Sequence, residues 1–99
     1  MKIIWTETAL KSFEEITDYI IYKFTIKEAL DFLDKTEAAL KIISNNSEVG
    51  SQFKKTEYRK FLIAKQTYLF YKVENQSIYL SVFWNNVKNP IRLNTILRT

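Results

Sequence analysis

The chain has 99 residues, 46% hydrophobic and 15% aromatic, with a formal net charge of +4. That is enough for one packed domain, here taken as residues 1–99, and it argues against disorder. With neither cysteine nor histidine, disulfides, thiolate nucleophiles, thiolate zinc sites and histidine-based catalysis are excluded.

"KIIW" (Lys2 to Trp5) is β-prone and predicts a first strand. Its apolar run is too short for a signal peptide, and no segment reaches the ~20 apolar residues of a membrane span, so the expected location is the cytoplasm with no membrane partner. Thr6 or Thr8 can cap a helix running to about Lys23, with Ala9, Phe13, Ile16 and Ile20 as its apolar stripe. "TIKE" (Thr25 to Glu28) has the spacing of a capping box and starts a second helix. Its predicted stripe is Ala29, Leu33, Thr36, Leu40 and Ile43. "SNN" (Ser44 to Asn46) predicts its end, an asparagine taking the left-handed conformation. So short a connection makes the pair an antiparallel hairpin.

"SEVGSQFKKTE" is polar, contains the only glycine, Gly50, and reads as a loop. "YRKFLIA" (58–64), "TYLFYKV" (67–73) and "SIYLSVFW" (77–84) then predict three antiparallel strands joined by "KQ" and "ENQ". Neither link contains Asn-Gly or Asp-Gly, so the turn types stay open. "FLI" is apolar on both faces, as expected of a central strand partly covered on both sides. The predicted order is β-α-α-β-β-β, an α+β fold with the helical hairpin on one face of a small, mainly antiparallel sheet.

Charge is divided along the chain. Residues 1–47 carry six lysines and eight acids, net −2; residues 48–99 carry nine Lys or Arg and three acids, net +6. A basic second half suits a polyanionic or acidic partner. The acids Glu14, Glu15, Asp18, Asp31 and Asp34 fall on faces predicted to be wet, without convergent partners, so neither a metal nor another cofactor is expected. One glycine cannot build a phosphate-cradling loop. The enzymatic option left is metal-free RNA cleavage by Lys, Arg and Tyr, with Lys54, Lys55, Arg59, Lys60, Lys88 and Arg92 as candidate cations. Arg59 is the most specific of these, because a strand guanidinium can fork onto phosphate or carboxylate. Tyr68, Phe70 and Tyr71 at strand spacing read mainly as core, and Trp5 and Trp84 as packing at the sheet's end.

Trp5, Ala9, Phe13, Ile16, Tyr19 and Ile20, followed by Tyr58 to Ile63, Tyr68 to Val73, Ile78 to Leu80, Phe83, Trp84 and Asn89–Pro90, together resemble the RelE/ParE toxins of bacterial toxin–antitoxin modules. The resemblance spans nearly the whole chain and implies a cytoplasmic toxin neutralised by a cognate antitoxin within a hetero-oligomer. RelE-type members cut messenger RNA on the ribosome; ParE-type members act on DNA gyrase. Many related chains carry an acid and an arginine after the last strand, where this one has Asn85 and Val87. An apolar Val87 cannot hold phosphate, and adjacent Lys88 points to the opposite side of an extended segment. The resemblance therefore leans to a ParE-like gyrase inhibitor that is not an enzyme. As a ribonuclease the chain would use Arg59, Lys54, Lys55 and Lys88. A degenerate member that binds its antitoxin without toxicity is a further alternative. Residues expected to contact antitoxin or target are Arg59, Lys60, Lys88, Arg92 and Trp84.

Overall fold

The computed structural model of the chain describes residues 1–85 and residue 97. In chain order it contains β1 (Lys2–Trp5), α1 (Glu7–Lys23), α2 (Ile26–Asn45), β2 (Ser51–Gln52), β3 (Arg59–Ala64), β4 (Thr67–Glu74) and β5 (Ser77–Asn85). The strands form one sheet in the order β1-β5-β4-β3-β2. β1 runs parallel to β5, and the other pairings are antiparallel. A parallel pair needs a long crossover, which the helical hairpin supplies. The predicted α+β architecture holds, with one addition. Ser51–Gln52, read as loop, is a two-residue edge strand opposite Lys60 and Arg59. Two polar residues carry no apolar pattern by which a strand could be recognised.

Both helices start at the expected caps. The Thr6 side chain accepts from the Ala9 amide at 3.1 Å and that of Thr25 from the Glu28 amide at 3.1 Å. α1 buries Ala9, Ser12 and Ile16, with Phe13 and Ile20 packed at the margin. In α2 the buried stripe is Ala29, Phe32, Thr36, Ala39 and Ile43. Leu33, predicted inside, is 39% exposed. The helix is rotated so that the larger Phe32 ring faces the core and stacks on Phe13, centroids 5.6 Å apart. The end of α2 also differs from expectation: Asn46 is extended (φ −146, ψ 90), not left-handed. Its side-chain oxygen accepts from the Glu48 amide at 3.2 Å, a local turn of the kind asparagine favours. Met1 and Ser44 tie the start of β1 to this end of the hairpin (Met1 amine to Ser44 carbonyl 3.3 Å; Ser44 hydroxyl to Met1 carbonyl 3.2 Å).

The sheet has two apolar faces. Ile63, Leu69, Tyr71, Ile78, Leu80 and Phe83 join the helices in the main core. Phe70, Val82 and Trp84 form a second cluster with Leu97 on the other face, flanked by Phe53, Tyr58 and Tyr68. β5 serves both because it is bulged: the partner of Phe70 is Val82, but the partner of Tyr71 is Leu80, so Ser81 is the extra residue. The bulge reverses which face each later residue takes. Even-numbered Ile78 and Leu80 face the helices before it, and odd-numbered Phe83 faces them after it. β1 stops pairing at Leu80, and α1 covers the backbone groups beyond. The Thr6 hydroxyl donates to the Leu80 carbonyl at 2.7 Å. The Ser12 hydroxyl accepts from the Phe83 amide at 2.9 Å and donates to the Ala9 carbonyl at 3.0 Å.

The β4–β5 turn, left open by sequence, places Asn75 (φ 52) and Gln76 (φ 62) both in the left-handed region. That backbone matches the twist of a two-residue hairpin even without glycine. In "FLI", Phe61 and Ile63 pack toward the helices, while Leu62 on the other face is only half-covered, at 49% exposure.

Replacing Ser12 by alanine leaves the buried Phe83 amide without its acceptor. The expected cost is about 1–3 kcal/mol, read as a lower urea midpoint at unchanged slope.

Candidate functional site

Two surfaces of different chemistry stand out, one on the hairpin and one on the β2–β3 side of the sheet. The first is a groove of about 680 Å³ between the helices, the β3–β4 turn and the end of β5. Its walls include apolar Ile16, Ile20, Phe24, Phe32 and Ala64, with Glu15, Glu28, Asp31, Lys35 and Lys65 among its charged residues. Around the hairpin bend the apolar surface continues: Tyr22 is 88% exposed and Ile26 67%, and Tyr19, Phe24 and Leu30 are also exposed. Soluble monomers rarely leave so many large apolar side chains exposed in one region unless something docks there.

The second surface begins with Arg59. On β3 opposite Tyr71, its guanidinium donates to the Gly50 carbonyl at 2.7 Å and to the Glu48 carbonyl at 3.2 Å. Tyr71 closes the same loop from within: its hydroxyl accepts from the Gly50 amide at 2.9 Å and donates to the Ser47 carbonyl at 2.8 Å. The two side chains thus clamp residues 47–50. The sole glycine is required by close approach and not by its φ. A Cβ at position 50 would lie 2.7 Å from the Tyr71 hydroxyl oxygen and 2.9 Å from the Lys60 carbonyl oxygen. Burial pushes the Tyr71 phenol above its ordinary pKa; the Gly50 amide and the Arg59 charge pull the other way without cancelling it.

The other predicted cations are not gathered into one centre. Lys54 and Lys55 are exposed in the turn between β2 and β3, the Lys54 ammonium 5.2 Å from the Phe53 ring centroid. Lys60 lies 4.9 Å over the Tyr68 ring on the outer face. Lys72 sits between Glu57 and Glu74, 3.3 Å from each. Burial alone would lower its pKa, but the hydrogen bonds to Glu74 and Glu57 outweigh this and raise it. Trp84 is buried at 3% exposure in the second cluster, so it serves packing, as its other sequence reading had it. Lys88 and Arg92, with Val87, Asn89 and Pro90, lie outside the described residues. Among the described residues no three His, Cys, Asp or Glu side chains converge to hold a metal ion, and no helix is long and apolar enough to cross a membrane.

Sequence reasoning passed over the groove and the clamp. The groove had a signal: Tyr19, Tyr22, Phe24, Ile26 and Leu30 exceed what one buried stripe per helix can use. The clamp had only a faint one, the single glycine in a polar stretch.

The model of a family described as "ParE toxin of type II toxin-antitoxin system, parDE" matches residues 3–84. A solved structure of the chromosomal ParDE TA system from P. aeruginosa is similar, with a TM-score of 0.74 at 17% identity. The match covers 86% of this chain and 95% of that one. At that identity the likeness speaks for the fold. No curated protein sequence matches the chain.

Gly50→Ala forces Tyr71 or the Lys60 backbone to move, with an expected loss of about 1–3 kcal/mol in chemical denaturation. Tyr71→Phe leaves the Gly50 amide and Ser47 carbonyl without their partner, at a similar cost. It also changes the alkaline limb. A raised native phenol pKa contributes stability that is complete below the unfolded value of about 10 and lost as pH rises through the native value. Above about pH 10 the Tyr71→Phe protein should therefore lose stability less steeply than wild type, as followed by urea midpoints across pH 8 to 11.

Proposed function

The chain belongs to the ParE toxin family of type II toxin–antitoxin systems, and from that premise we propose that it is a toxin that inhibits DNA gyrase and is held inactive by a cognate antitoxin. The observation that carries this reading is the exposed apolar hairpin with its groove, a surface suited to protein partners. Helix-in-groove packing is one general way in which such a surface captures an amphipathic segment. The basic second half suits an acidic stretch of the same neutralising partner. Toxin and antitoxin would then form a hetero-oligomer.

The ribonuclease alternative, acting on ribosome-bound message, has less support from Arg59. Its Nη1 already donates to two loop carbonyls, which fixes the guanidinium toward residues 48–50. Lys54 and Lys55 lie exposed in the turn between β2 and β3 and take no part in the clamp's hydrogen bonds.

In a gyrase supercoiling assay the purified chain is expected to abolish supercoiling, and addition of the protein encoded by the neighbouring small gene should restore it. Ribosome-bound message should stay intact in a parallel reaction. Message cleavage with supercoiling untouched would overturn the reading in favour of the ribonuclease. A chain inert in both assays that still binds the neighbour-encoded protein would identify the degenerate member.

A further inference from the structure

α2 carries a second stripe that the fold leaves largely uncovered. Ile26, Leu30, Leu33, Glu37 and Leu40 follow one another at steps of four, three, four and three, the spacing of a seam between paired helices. Leu30, Leu33, Glu37 and Leu40 each directly follow a core residue of α2 (Ala29, Phe32, Thr36 and Ala39), so the stripe is turned about 100° from the core. Ile26 and Leu30 are more than half exposed, Leu33 and Glu37 are exposed, and Leu40 packs at the margin of the main core. The groove does not account for the stripe, because the groove's α2 wall is Glu28, Asp31, Phe32 and Lys35. On its solvent side the stripe is flanked by exposed Lys27, Asp34 and Lys41.

These charges select the occupant and its direction. A second copy laid parallel and in register would set Lys27 on Lys27, Asp34 on Asp34 and Glu37 on Glu37, and like charges disfavour that pairing. Laid antiparallel about a two-fold axis, Leu30 of each copy meets Leu33 of the other. The same register brings Lys27 of each copy level with Glu37 of the other and within a turn of its Asp34. The one charged residue inside the seam thereby gains a cation, and the two-fold axis repeats every contact. Among the described residues Lys27, Asp34 and Glu37 make no ion pair within the chain.

We propose that the free chain forms an antiparallel two-fold dimer through this stripe of α2. Leu30 and Leu33 lie at its centre, and Lys27 of each copy lies against Asp34 and Glu37 of the other. Five side chains per copy make a small interface, so the dimer is weak and concentration-dependent. The groove lies outside it. Self-association and capture of a partner in the groove are therefore separate events, and the dimer does not rest on the toxin reading.

Analytical ultracentrifugation of the purified full chain, from low to high micromolar concentration, should show a reversible monomer–dimer equilibrium. Leu30→Lys/Leu33→Lys changes two exposed positions and should abolish the dimer while circular dichroism shows the variant folded. Lys27→Glu and Asp34→Lys should each weaken dimerisation about tenfold at low salt. Combined in one chain, the two reversals set opposite charges together again and should dimerise more tightly than either alone. A chain that stays monomeric overturns the proposal. So does a dimer that the leucine variant forms as readily as wild type, or a double reversal no tighter than the single ones. A monomeric chain that needs Leu30 and Leu33 to bind the protein encoded by the neighbouring small gene assigns the stripe to that partner and overturns the proposal.

Discussion

The bulge at Ser81 is the constraint on which the rest of the fold depends. A regular β5 would send Ile78, Leu80, Val82 and Trp84 to one face. With one extra residue, the strand commits Ile78, Leu80 and Phe83 to the helical core and Val82 and Trp84 to the opposite cluster. Phe83 is then placed to pack against Trp5, 5.4 Å between centroids, and against Phe13 at 5.1 Å. β1 also stops pairing at Leu80, and buried amides and carbonyls beyond it are costly without partners. Thr6 and Ser12 meet that need from α1. The same contacts fix where the hairpin starts on the sheet, so a one-residue irregularity in the last strand sets the seat of both helices.

Much of this was legible in the sequence. Thr6 and Thr25 act locally, each capping an amide three residues on, and local chemistry can be read from neighbours. The three long strands and the α+β order followed from composition and period. The bulge was not read, although "VFW" at 82–84 breaks the alternation just where it should. In the α2 stripe Ala29, Thr36 and Ile43 are buried as predicted, but Leu33 gives way to Phe32, both being apolar. Only the tertiary partner, Phe13, chooses between them. β2 exists because Arg59–Lys60 offers an edge and Gly50 brings the chain to it, both long-range causes.

Site residues were less legible than the fold. Arg59 stood out by type and position, yet type could not say what it would hold. A guanidinium that forks onto phosphate can equally fork onto backbone carbonyls, and here two of them lie within reach. Trp84 has the composition of an interface anchor, but the bulge turns it into the outer cluster. The exposed hairpin residues, by contrast, were visible as an apolar surplus. Their meaning depends on knowing that the sheet has already claimed Ile16, Phe32 and Ile43.

The clamp at residues 47–50 links two features of this side of the sheet. By drawing Gly50 to Tyr71, it uses the side chain that made Arg59 look like a site residue. By the same path it carries the chain off the sheet before β2 can lengthen. A longer β2 would have needed residues 47–50 to run along Phe61–Ala64. Instead the Gly50 amide and the Ser47, Glu48 and Gly50 carbonyls bond inward, to a phenol and a guanidinium. One arrangement thus engages the arginine's Nη1 and leaves β2 only Arg59 and Lys60 to pair with among the described residues.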